Sequence, residues 1–274
     1  MHIIRFIDET NQIQYGHKYA KGTAILLKGK LFNGFKDTGK KIAVKKVLAP
    51  LKPAAILCIG LNFHKHAAET GLKIPRYPVL FMKNPASINN PGDPVVIPKS
   101  CLNPPEVDYE AELAVIIGKA AKNVSAEQAL NYVFGYTIAN DVSARRWQKK
   151  AGSMQWSRSK SFDTFCPLGP AIITADEIPD PQNLQIKCNL NDKVMQDAVT
   201  SDMIFSVAEI IEYLSEETTL LPGTLILTGT PDGVGFARNP PVYLKPGDKV
   251  EITIKGIGSL VNPVIISETE KLKA

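Results

Sequence analysis

The sequence predicts a mainly β fold with a few helices, an α+β arrangement in which mostly antiparallel strands form a mixed β-roll or barrel. Short β-rich runs alternate with proline and glycine turn signals along most of the chain. Two helices carry clear start signals. The regular strand-helix-strand alternation of a doubly wound parallel sheet is missing, which argues against that class.

The first fifty residues predict a small N-terminal β module. We expect strands at residues 3–6 and 23–27, followed by a lysine-rich stretch at residues 36–41. A connector punctuated by two prolines then begins with Ala49. We therefore expect two domains, residues 1–50 and residues 51–274.

Helices and a hairpin complete the predicted elements. Capping boxes begin at Ser125 and Ser206, because Gln or Glu follows three residues later and apolar residues recur at helical spacing behind each cap. A glycine-containing turn at residues 256–258 is expected to join strands at 249–255 and 259–265.

Composition limits the class of partner. The chain has 274 residues, 44% of them hydrophobic and 22% charged, which is typical of a soluble globular protein with a sizeable core. Its net charge of +5 comes from scattered lysines without the interleaved aromatic residues of a nucleic-acid platform. No apolar run reaches the ~18 residues of a membrane span. We expect a small anionic substrate, and neither nucleic acid nor membrane.

The N-terminal residues and the cysteines predict the compartment. Residues 1–9 lack the basic region and apolar stretch of a secretory signal. The four cysteines, at positions 58, 101, 166 and 188, are far apart and form no C-x-x-C motif. We expect reduced structural thiols and a cytoplasmic protein, or a mitochondrial matrix protein if it is imported.

Residues 107–118 read as one strand with acids at alternate positions. Residues two apart in a strand point to the same side, about 6.6 Å apart, so Asp108, Glu110 and Glu112 would share a face. That face continues as Ala114 and Ile116, as in a strand that passes from the rim of a cavity into a core. We interpret it as half of a metal site; the alternative is an ordinary solvated face.

A third acid ends the next predicted strand, at residues 135–141. With Glu110 and Glu112, Asp141 supplies three carboxylates and leaves coordination positions open. Hard oxygen ligands of this kind suit Mg²⁺, Mn²⁺ or Ca²⁺. By itself, an aspartate at a strand end is more typical of a turn or a helix cap.

Half of the four histidines, His64 and His66, fall within three positions. On a helix, His66 and Glu69 would be neighbours because residues three apart share a face. A carboxylate that holds an imidazole fixes its tautomer and raises its basicity, which gives a general base able to activate water. The alternative is a pair of surface histidines.

Two further segments carry candidate groups. Lys160 lies between small polar residues; a partly buried lysine can stabilise an enolate or transfer a proton, whereas a loop lysine is ordinarily solvated. Residues 225–235 contain glycines that let backbone approach a ligand, and Thr230 offers a hydroxyl and an amide. The segment matches neither nucleotide-binding glycine motif, and a plain tight turn is the alternative.

The order and the residue types of these blocks resemble those of the fumarylacetoacetate hydrolase superfamily over residues 56–264. Residues 162–170 are most similar to a branch associated with oxaloacetate tautomerisation. The blocks that carry the resemblance are Gly-Leu-Asn-Phe at 60–63 with His66 and Glu69, Glu110-x-Glu112, Gly-Tyr-Thr at 135–137 with Asp141, Lys-Ser-Phe-Asp at 160–163, and Leu-Thr-Gly-Thr-Pro at 227–231.

The resemblance implies a β-roll catalytic domain at residues 51–274, usually in a homodimer, that uses Mg²⁺ or Mn²⁺ and acts on 2-oxo acids. The implied roles are metal ligation by Glu110, Glu112 and Asp141, water activation by His66 and Glu69 on a lid loop, catalysis by Lys160, and substrate contact by Arg145, Gln148 and Thr230. Arg146, where relatives often carry aspartate, and His64, an additional imidazole, depart from the pattern and leave the site for the substrate's distal end open.

These assignments predict a Mg²⁺-dependent hydrolase, lyase or tautomerase of small 2-oxo acids. A 2-oxo acid chelated to the metal gains enolate character, from which acylpyruvate C–C hydrolysis, oxaloacetate decarboxylation or oxaloacetate tautomerisation can follow. One alternative is a hydratase or isomerase of 2-oxo-dienoates. An alternative of another class is a non-catalytic metal-binding protein, which would need none of His66, Glu69 and Lys160.

Overall fold

Three sheets, described for residues 1–149 and 154–267 of a computed structural model, form most of the regular secondary structure. The strands in chain order are β1 His2–Ile7, β2 Ile13–Ala20, β3 Thr23–Lys30, β4 Gly34–Ala43, β5 Lys46–Leu48, β6 Ala55–Gly60, β7 Val79–Lys83, β8 Ile88–Asn89, β9 Val95–Ile97, β10 Val107–Asp108, β11 Ala111–Ile117, β12 Val133–Asn140, β13 Ser143–Ala144, β14 Cys166–Thr174, β15 Gln185–Leu190, β16 Lys193–Val199, β17 Thr224–Leu227, β18 Lys249–Ile254 and β19 Gly258–Ile266.

Helices in the described residues are few and short, which agrees with the predicted fold class. The α-helices are α1 His64–Thr70, α2 Ala126–Ala129, α3 Arg145–Lys149, α4 Trp156–Ser159 and α5 Val207–Ser215. Single 3₁₀ turns lie at Pro85–Ser87, Lys99–Cys101, Leu130–Tyr132, Ala175–Glu177, Thr200–Asp202 and Gly235–Ala237. None of the described helices has the length and apolar character needed to cross a membrane.

The largest sheet has twelve strands and is mixed but mainly antiparallel. Its main order is β4-β3-β2-β1-β14-β12-β11-β17-β6-β7, with β5 beside β1 and β8 beside β14. Along this order only β17 and β6 pair in parallel. Within the described residues the sheet begins at β4 and ends at β7 without closing, so the barrel form of the prediction is wrong.

The N-terminal strands extend this same sheet. β1 to β4 form an antiparallel meander, and β1 pairs with β14 at Ile3 and Ile172. The lysine-rich stretch at residues 36–41 is part of β4, which pairs with β3, and its lysines are exposed. The domain boundary after residue 50 stays a prediction.

β11 lies at the centre of the fold and is buried along its whole length. Leu113 and Val115 face one apolar cluster, between the large sheet and the five-stranded sheet β16-β15-β18-β19-β9. Ala114 and Ile116 face a second cluster formed with the N-terminal strands. Because successive side chains alternate, Glu112 shares the face of Ala114 and Ile116, which confirms the predicted passage from carboxylate to apolar core.

The predicted single strand over residues 107–118 is wrong, because two strands with different partners occupy it. β10 pairs with β13, whereas β11 pairs with β12 and β17. In the break, Glu110 N donates to Asn140 Oδ1 at 3.0 Å and Ala111 N donates to Gln196 Oε1 at 3.0 Å. Side-chain oxygen atoms thus replace the backbone acceptors that a continuous strand would have here, and Asp108 does not continue the strand face of Glu112.

One of the two predicted capping boxes forms. Ser206 Oγ accepts from Glu209 N, and Glu209 Oε2 accepts from Ser206 N at 2.7 Å, at the start of α5. The box at Ser125 is wrong, because its side chain makes no capping bond and α2 has only four residues. Instead Ala126 N donates to Glu212 Oε1 of α5 at 3.0 Å, so a distant carboxylate satisfies this helix start.

Candidate active site

Most of the predicted site residues line one cavity of about 250 Å³, between the ends of several central strands and helices α1, α3 and α4. Its polar lining is His66, Thr70, Glu110, Glu112, Arg145, Gln148, Lys149, Lys160 and Thr230. Its apolar lining is Ile59, Leu61, Leu72, Phe81, Met154, Trp156 and Phe236. A pocket with an apolar wall and a few convergent polar groups is typical of a small-molecule site.

The three predicted metal ligands come together. Glu110 lies in the break before β11, Glu112 lies on β11, and Asp141 directly follows β12. Asp141 N donates to the Glu110 carbonyl oxygen at 2.9 Å, which joins the two segments. One oxygen from each carboxylate lies within 4.8 Å of the other two, and all three residues are buried. The group can therefore hold a metal ion.

Two buried lysines neutralise part of this carboxylate group. Lys160, which follows α4, places Nζ 2.7 Å from Glu110 Oε2 and 2.7 Å from Asp141 Oδ2. Lys83 at the end of β7 places Nζ 2.5 Å from Asp141 Oδ1. The solvated-loop alternative for Lys160 is wrong, since only 2% of the residue is exposed.

Charge is distributed unevenly over the carboxylates. Burial alone would raise the pKa of Glu110, but Lys160 and Arg145 outweigh it and hold the pKa below its ordinary value. Burial, together with the charges of Asp141 and Glu110, raises the pKa of Glu112 well above its ordinary value. Glu112 accepts a hydrogen bond from Gly229 N at 2.8 Å, and none of the described ion pairs includes it.

This imbalance fits a divalent cation. The donors are hard oxygen atoms, and an ionised carboxylate has about four acceptor positions, so the lysine contacts leave lone pairs available. A cation beside Glu112 would supply the ion-pair partner that none of the described side chains gives it. The residues present therefore suit such an ion.

His66 and Glu69 are neighbours on α1, as their spacing predicted. His66 Nδ1 lies 3.2 Å from Glu69 Oε2, and His66 is buried, so the surface alternative is wrong for this histidine. Glu69 Oε1 also accepts from Gly233 N at 2.9 Å. His64, by contrast, is exposed. The water-activating role of the pair stays a prediction.

The predicted substrate-contact residues also face the cavity. Arg145 and Gln148 lie one turn apart on α3, and Arg145 NH1 donates to Gln148 Oε1 at 3.2 Å. Thr230 Oγ1 accepts from the buried Gln196 at 2.8 Å. Arg146 points elsewhere and pairs with Glu106 at 2.8 Å, so this departure from the family pattern lies outside the cavity lining.

The glycine loop, which we define as residues 228–236, donates backbone amides to several site carboxylates. Gly229 N binds Glu112, Gly233 N binds Glu69, and the next two amides that donate, from Gly235 and Phe236, bind Asp108. The plain-turn alternative does not describe this segment, because its amides orient acids from three different parts of the chain.

Sequence reasoning missed Lys83 and the aromatic wall of the cavity. The signal for Lys83 was its place two residues after Phe81 on β7, where alternation puts both side chains on the buried face. No sequence signal indicated Trp156; its place is seen only in the structure, where a Cβ atom on Gly60 would lie 2.2 Å from the Trp156 ring. Trp156 in turn packs edge-on against Phe81 at 5.5 Å.

The cysteines agree with the prediction. All four are free and buried. Burial raises the pKa of Cys101 to about 11 and that of Cys166 to about 12, which keeps both as unreactive thiols.

The sequence is similar to a known protein family and to individual members of it. The sequence model described as fumarylacetoacetate hydrolase C-terminal matches residues 55–265. A fumarylacetoacetate hydrolase domain-containing protein 2 homolog from Dictyostelium discoideum is 48% identical over 228 residues, 80% of this chain and 74% of the relative. An oxaloacetate tautomerase, fahd2, mitochondrial, from Xenopus laevis is 48% identical over 220 residues, 80% of this chain and 68% of the relative.

A solved structure is similar over nearly the whole chain. The crystal structure of a 2-hydroxyhepta-2,4-diene-1,7-dioate isomerase from Mycobacterium marinum superposes with a TM-score of 0.83 at 38% identity. The match covers 98% of this chain and 100% of that one.

Proposed function

The chain belongs to the fumarylacetoacetate hydrolase family, and from this premise we propose that it is a metal-dependent enzyme that interconverts the keto and enol forms of oxaloacetate. The observation that carries the proposal is the meeting in one cavity of the carboxylate group, His66 and Arg145. The relative named as an oxaloacetate tautomerase supports this choice of substrate among small 2-oxo acids.

Glu110, Glu112 and Asp141 are the proposed ligands of Mg²⁺ or Mn²⁺. Their hard oxygen donors and the absence of an ion-pair partner for Glu112 among the described residues support this assignment. Such a cation, when bound, supplies Lewis-acid polarisation of the ketone oxygen of a 2-oxo acid.

His66 is the proposed proton acceptor. When Nδ1–H donates to Glu69, Nε2 carries the lone pair and can take a proton from C3 of the keto form. Burial by itself would lower the pKa of Lys160, but Asp141 and Glu110 outweigh it and raise the pKa, so the ammonium group stays protonated. The three N–H donors of Lys160 bind Glu110, Asp141 and Ser143. When the bond to Ser143 is exchanged for one to the C2 oxygen, Lys160 can protonate that oxygen, so one proton leaves carbon, one reaches oxygen, and the composition of the substrate is unchanged.

Arg145 and Gln148 are the proposed contacts of the distal carboxylate of oxaloacetate, with Thr230 as a further polar contact. A guanidinium group forms strong charge-assisted hydrogen bonds with a carboxylate, and Arg145 NH1 lies beside Gln148 in the cavity lining. The buried Asp108 raises the pKa of Arg145 further, against the lowering effect of burial, which keeps the guanidinium charged. The positive side chain thus suits the second negative group of a dicarboxylate.

A second candidate is the isomerisation of 2-oxo-dienoates. The specific observation in its favour is the likeness to the isomerase structure over 98% of this chain. Its proton transfers can use the same His66 and Lys160. Acylpyruvate hydrolysis needs in addition that His66 and Glu69 activate water. Relatives named as tautomerase and isomerase favour any of these over a non-catalytic metal-binding protein.

A substrate panel tests the proposal. The purified protein is assayed with MgCl₂ or MnCl₂ against oxaloacetate, acylpyruvates and 2-oxo-dienoates, and enol loss is followed by ultraviolet absorbance. We expect metal-dependent acceleration of oxaloacetate tautomerisation that EDTA abolishes. Metal binding without acceleration of any of these reactions would contradict the proposal and favour the non-catalytic alternative.

Assembly and compartment are further proposals. We expect a homodimer; exposed apolar side chains near edge strand β7, Tyr77, Leu80, Met82, Tyr213 and Leu221, support an interface there. Light scattering during size-exclusion chromatography measures the mass of the particle and so tests the homodimer.

We expect the protein in the cytoplasm or in the mitochondrial matrix. The relative named as mitochondrial supports the matrix, and cell fractionation distinguishes the two compartments.

A further inference from the structure

Asp108 is a buried carboxylate beside the candidate active site that the proposed chemistry does not use. It is 0% exposed and does not line the cavity. Its two oxygen atoms nevertheless accept from donors in three segments: Tyr109, Arg145 and the glycine loop. This is a large number of donors for one side chain, and each oxygen contacts a different set.

Asp108 Oδ2 fixes one edge of the Arg145 guanidinium group. Arg145 Nε donates to Oδ2 at 2.9 Å, and NH2 lies 2.8 Å from the same atom. NH2 also lies 2.7 Å from Glu110 Oε1. With that edge occupied, the NH1 edge is the one beside Gln148 in the cavity lining. Asp108 therefore decides which nitrogen of Arg145 is available to a ligand.

The same carboxylate fixes the aromatic surface under Arg145. Gly235 N donates to Asp108 Oδ1 at 2.8 Å and Phe236 N donates to Oδ2 at 3.0 Å. A Cβ atom on Gly235 would lie 1.9 Å from the Val242 carbonyl oxygen and 2.5 Å from Asp108 Oδ1, so both approaches require glycine. The ring of Phe236 lies 4.4 Å from the Arg145 guanidinium carbon and meets His66 edge-on.

We infer that Asp108 is a positioning residue for substrate binding, which acts by holding Arg145 and Phe236 in their places at the cavity. The inference rests on the proposed function, because it takes Arg145 as the contact of the distal carboxylate of oxaloacetate. Asp108 does not touch the substrate and takes no part in proton transfer. Its loss should weaken binding of the distal carboxylate and leave the chelating end of the ligand unaffected.

The neighbouring Glu106 supplies a matched control. It too is a buried carboxylate, 1% exposed, and it holds the next arginine, Arg146, at 2.8 Å. Glu106 Oε2 also accepts backbone amides from Arg146 and Trp147. None of Glu106, Arg146 and Trp147 lines the cavity. Substituting Glu106 thus removes a buried carboxylate that holds an arginine, here a half-exposed one, without touching the proposed substrate contact.

The experiment compares D108N and E106Q in the full chain, in the wild-type background and in R145Q. Measured quantities are KM and kcat for oxaloacetate, the inhibition constant of oxalate, which has no distal carboxylate group beyond the chelating pair, and the melting temperature. We expect D108N to raise KM about tenfold, equivalent to about 1.4 kcal/mol, with kcat changed less than about threefold and the oxalate constant unchanged. E106Q should lower the melting temperature comparably and leave KM unchanged.

In the R145Q background, D108N should have little further effect on KM, since it acts through Arg145. Equal KM changes in D108N and E106Q, or a full additional change in R145Q, would overturn the inference. If R145Q raises KM and D108N does not, the inference alone fails; if R145Q leaves KM unchanged, the proposed substrate contact fails with it. If D108N does not fold, D108E takes its place, because it keeps the charge but shifts the oxygen atoms. A wild-type KM in D108E would then count against the inference.

Discussion

At the scale of single residues, the site is set by which charges each carboxylate meets. Asp141 accepts from two lysines, whereas no described cation pairs with Glu112. Lys83 and Lys160 are equally buried and both pair with Asp141, yet Lys160 lines the cavity and Lys83 does not. Position, rather than residue type, thus separates a group that can reach a ligand from one that can only hold a neighbour.

Lys83 should be essential for stability. Its ammonium group also donates to the Phe165 carbonyl oxygen at 2.9 Å, and the Lys83→Met substitution would leave Asp141 Oδ1 without its partner. Removing one member of a buried ion pair costs about 3–5 kcal/mol. We expect a loss of that size in the free energy of unfolding, measured by urea denaturation.

The control for this measurement is Lys122→Met. Lys122 is half exposed and lies 3.9 Å from the exposed Glu217. Exposed pairs contribute about 0–1 kcal/mol, so this variant should unfold close to the wild type. Equal stability of the two variants would show that Lys83 does not hold Asp141 in the way described.

At the scale of elements, partners distant in sequence decide what local patterns do. Ser206 and Ser125 begin similar capping patterns, but Glu212 takes over the start of α2. The break between β10 and β11 depends on side chains of Asn140 and Gln196. Neither outcome can be predicted from the local sequence.

The two serines allow a direct comparison. Ser206→Ala removes an acceptor that the start of α5 uses and should lower the free energy of unfolding by about 1 kcal/mol. Ser125→Ala removes a side chain that makes no capping bond and should be nearly neutral. Thermal or urea unfolding of both variants gives the answer; a loss at Ser125 as large as that at Ser206 would contradict the assignment of the caps.

The contact between β6 and α4 should control the position of Lys160. Gly60→Ala places a methyl group against the Trp156 ring and should displace α4, with a fall in kcat of about tenfold. Adding Trp156→Ala makes room for the methyl group, so the double variant should lose less than the sum of the two single variants. Steady-state kinetics of the three variants test this, and strict additivity would count against the contact.

At the scale of the whole molecule, the family and the fold class were predictable because both depend on ordered motifs and alternation. The superfamily resemblance is confirmed by the match over residues 55–265, and enzymes among the relatives confirm the prediction of an enzyme. The spacing of His66 and Glu69 predicted their contact, since one helical turn joins them. Homodimer and compartment stay predictions.

The rest of the site was not predictable because its contacts join residues that are far apart in the sequence. Lys83 meets Asp141 over a separation of 58 residues, and Gly235 meets Asp108 over 127. Periodicity describes one element at a time and cannot specify which elements become neighbours. The open sheet edge at β7, in place of a closed barrel, depends on the same long-range pairing.

The central claim is that the three buried carboxylates hold a metal that 2-oxo acid chemistry requires, and Glu112→Gln tests it most directly. Burial and its acidic neighbours raise the pKa of Glu112, a proposed ligand, which favours its neutral form when no cation is present; glutamine should therefore leave the metal-free melting temperature little changed. Calorimetric titration with MgCl₂, followed by the oxaloacetate assay, is the measurement, with Glu127→Gln on the surface as control. We expect Mg²⁺ affinity to fall by at least about tenfold and tautomerisation to be lost, the factor corresponding to about 1.4 kcal/mol. Wild-type Mg²⁺ binding and turnover in a folded Glu112→Gln protein would contradict the account.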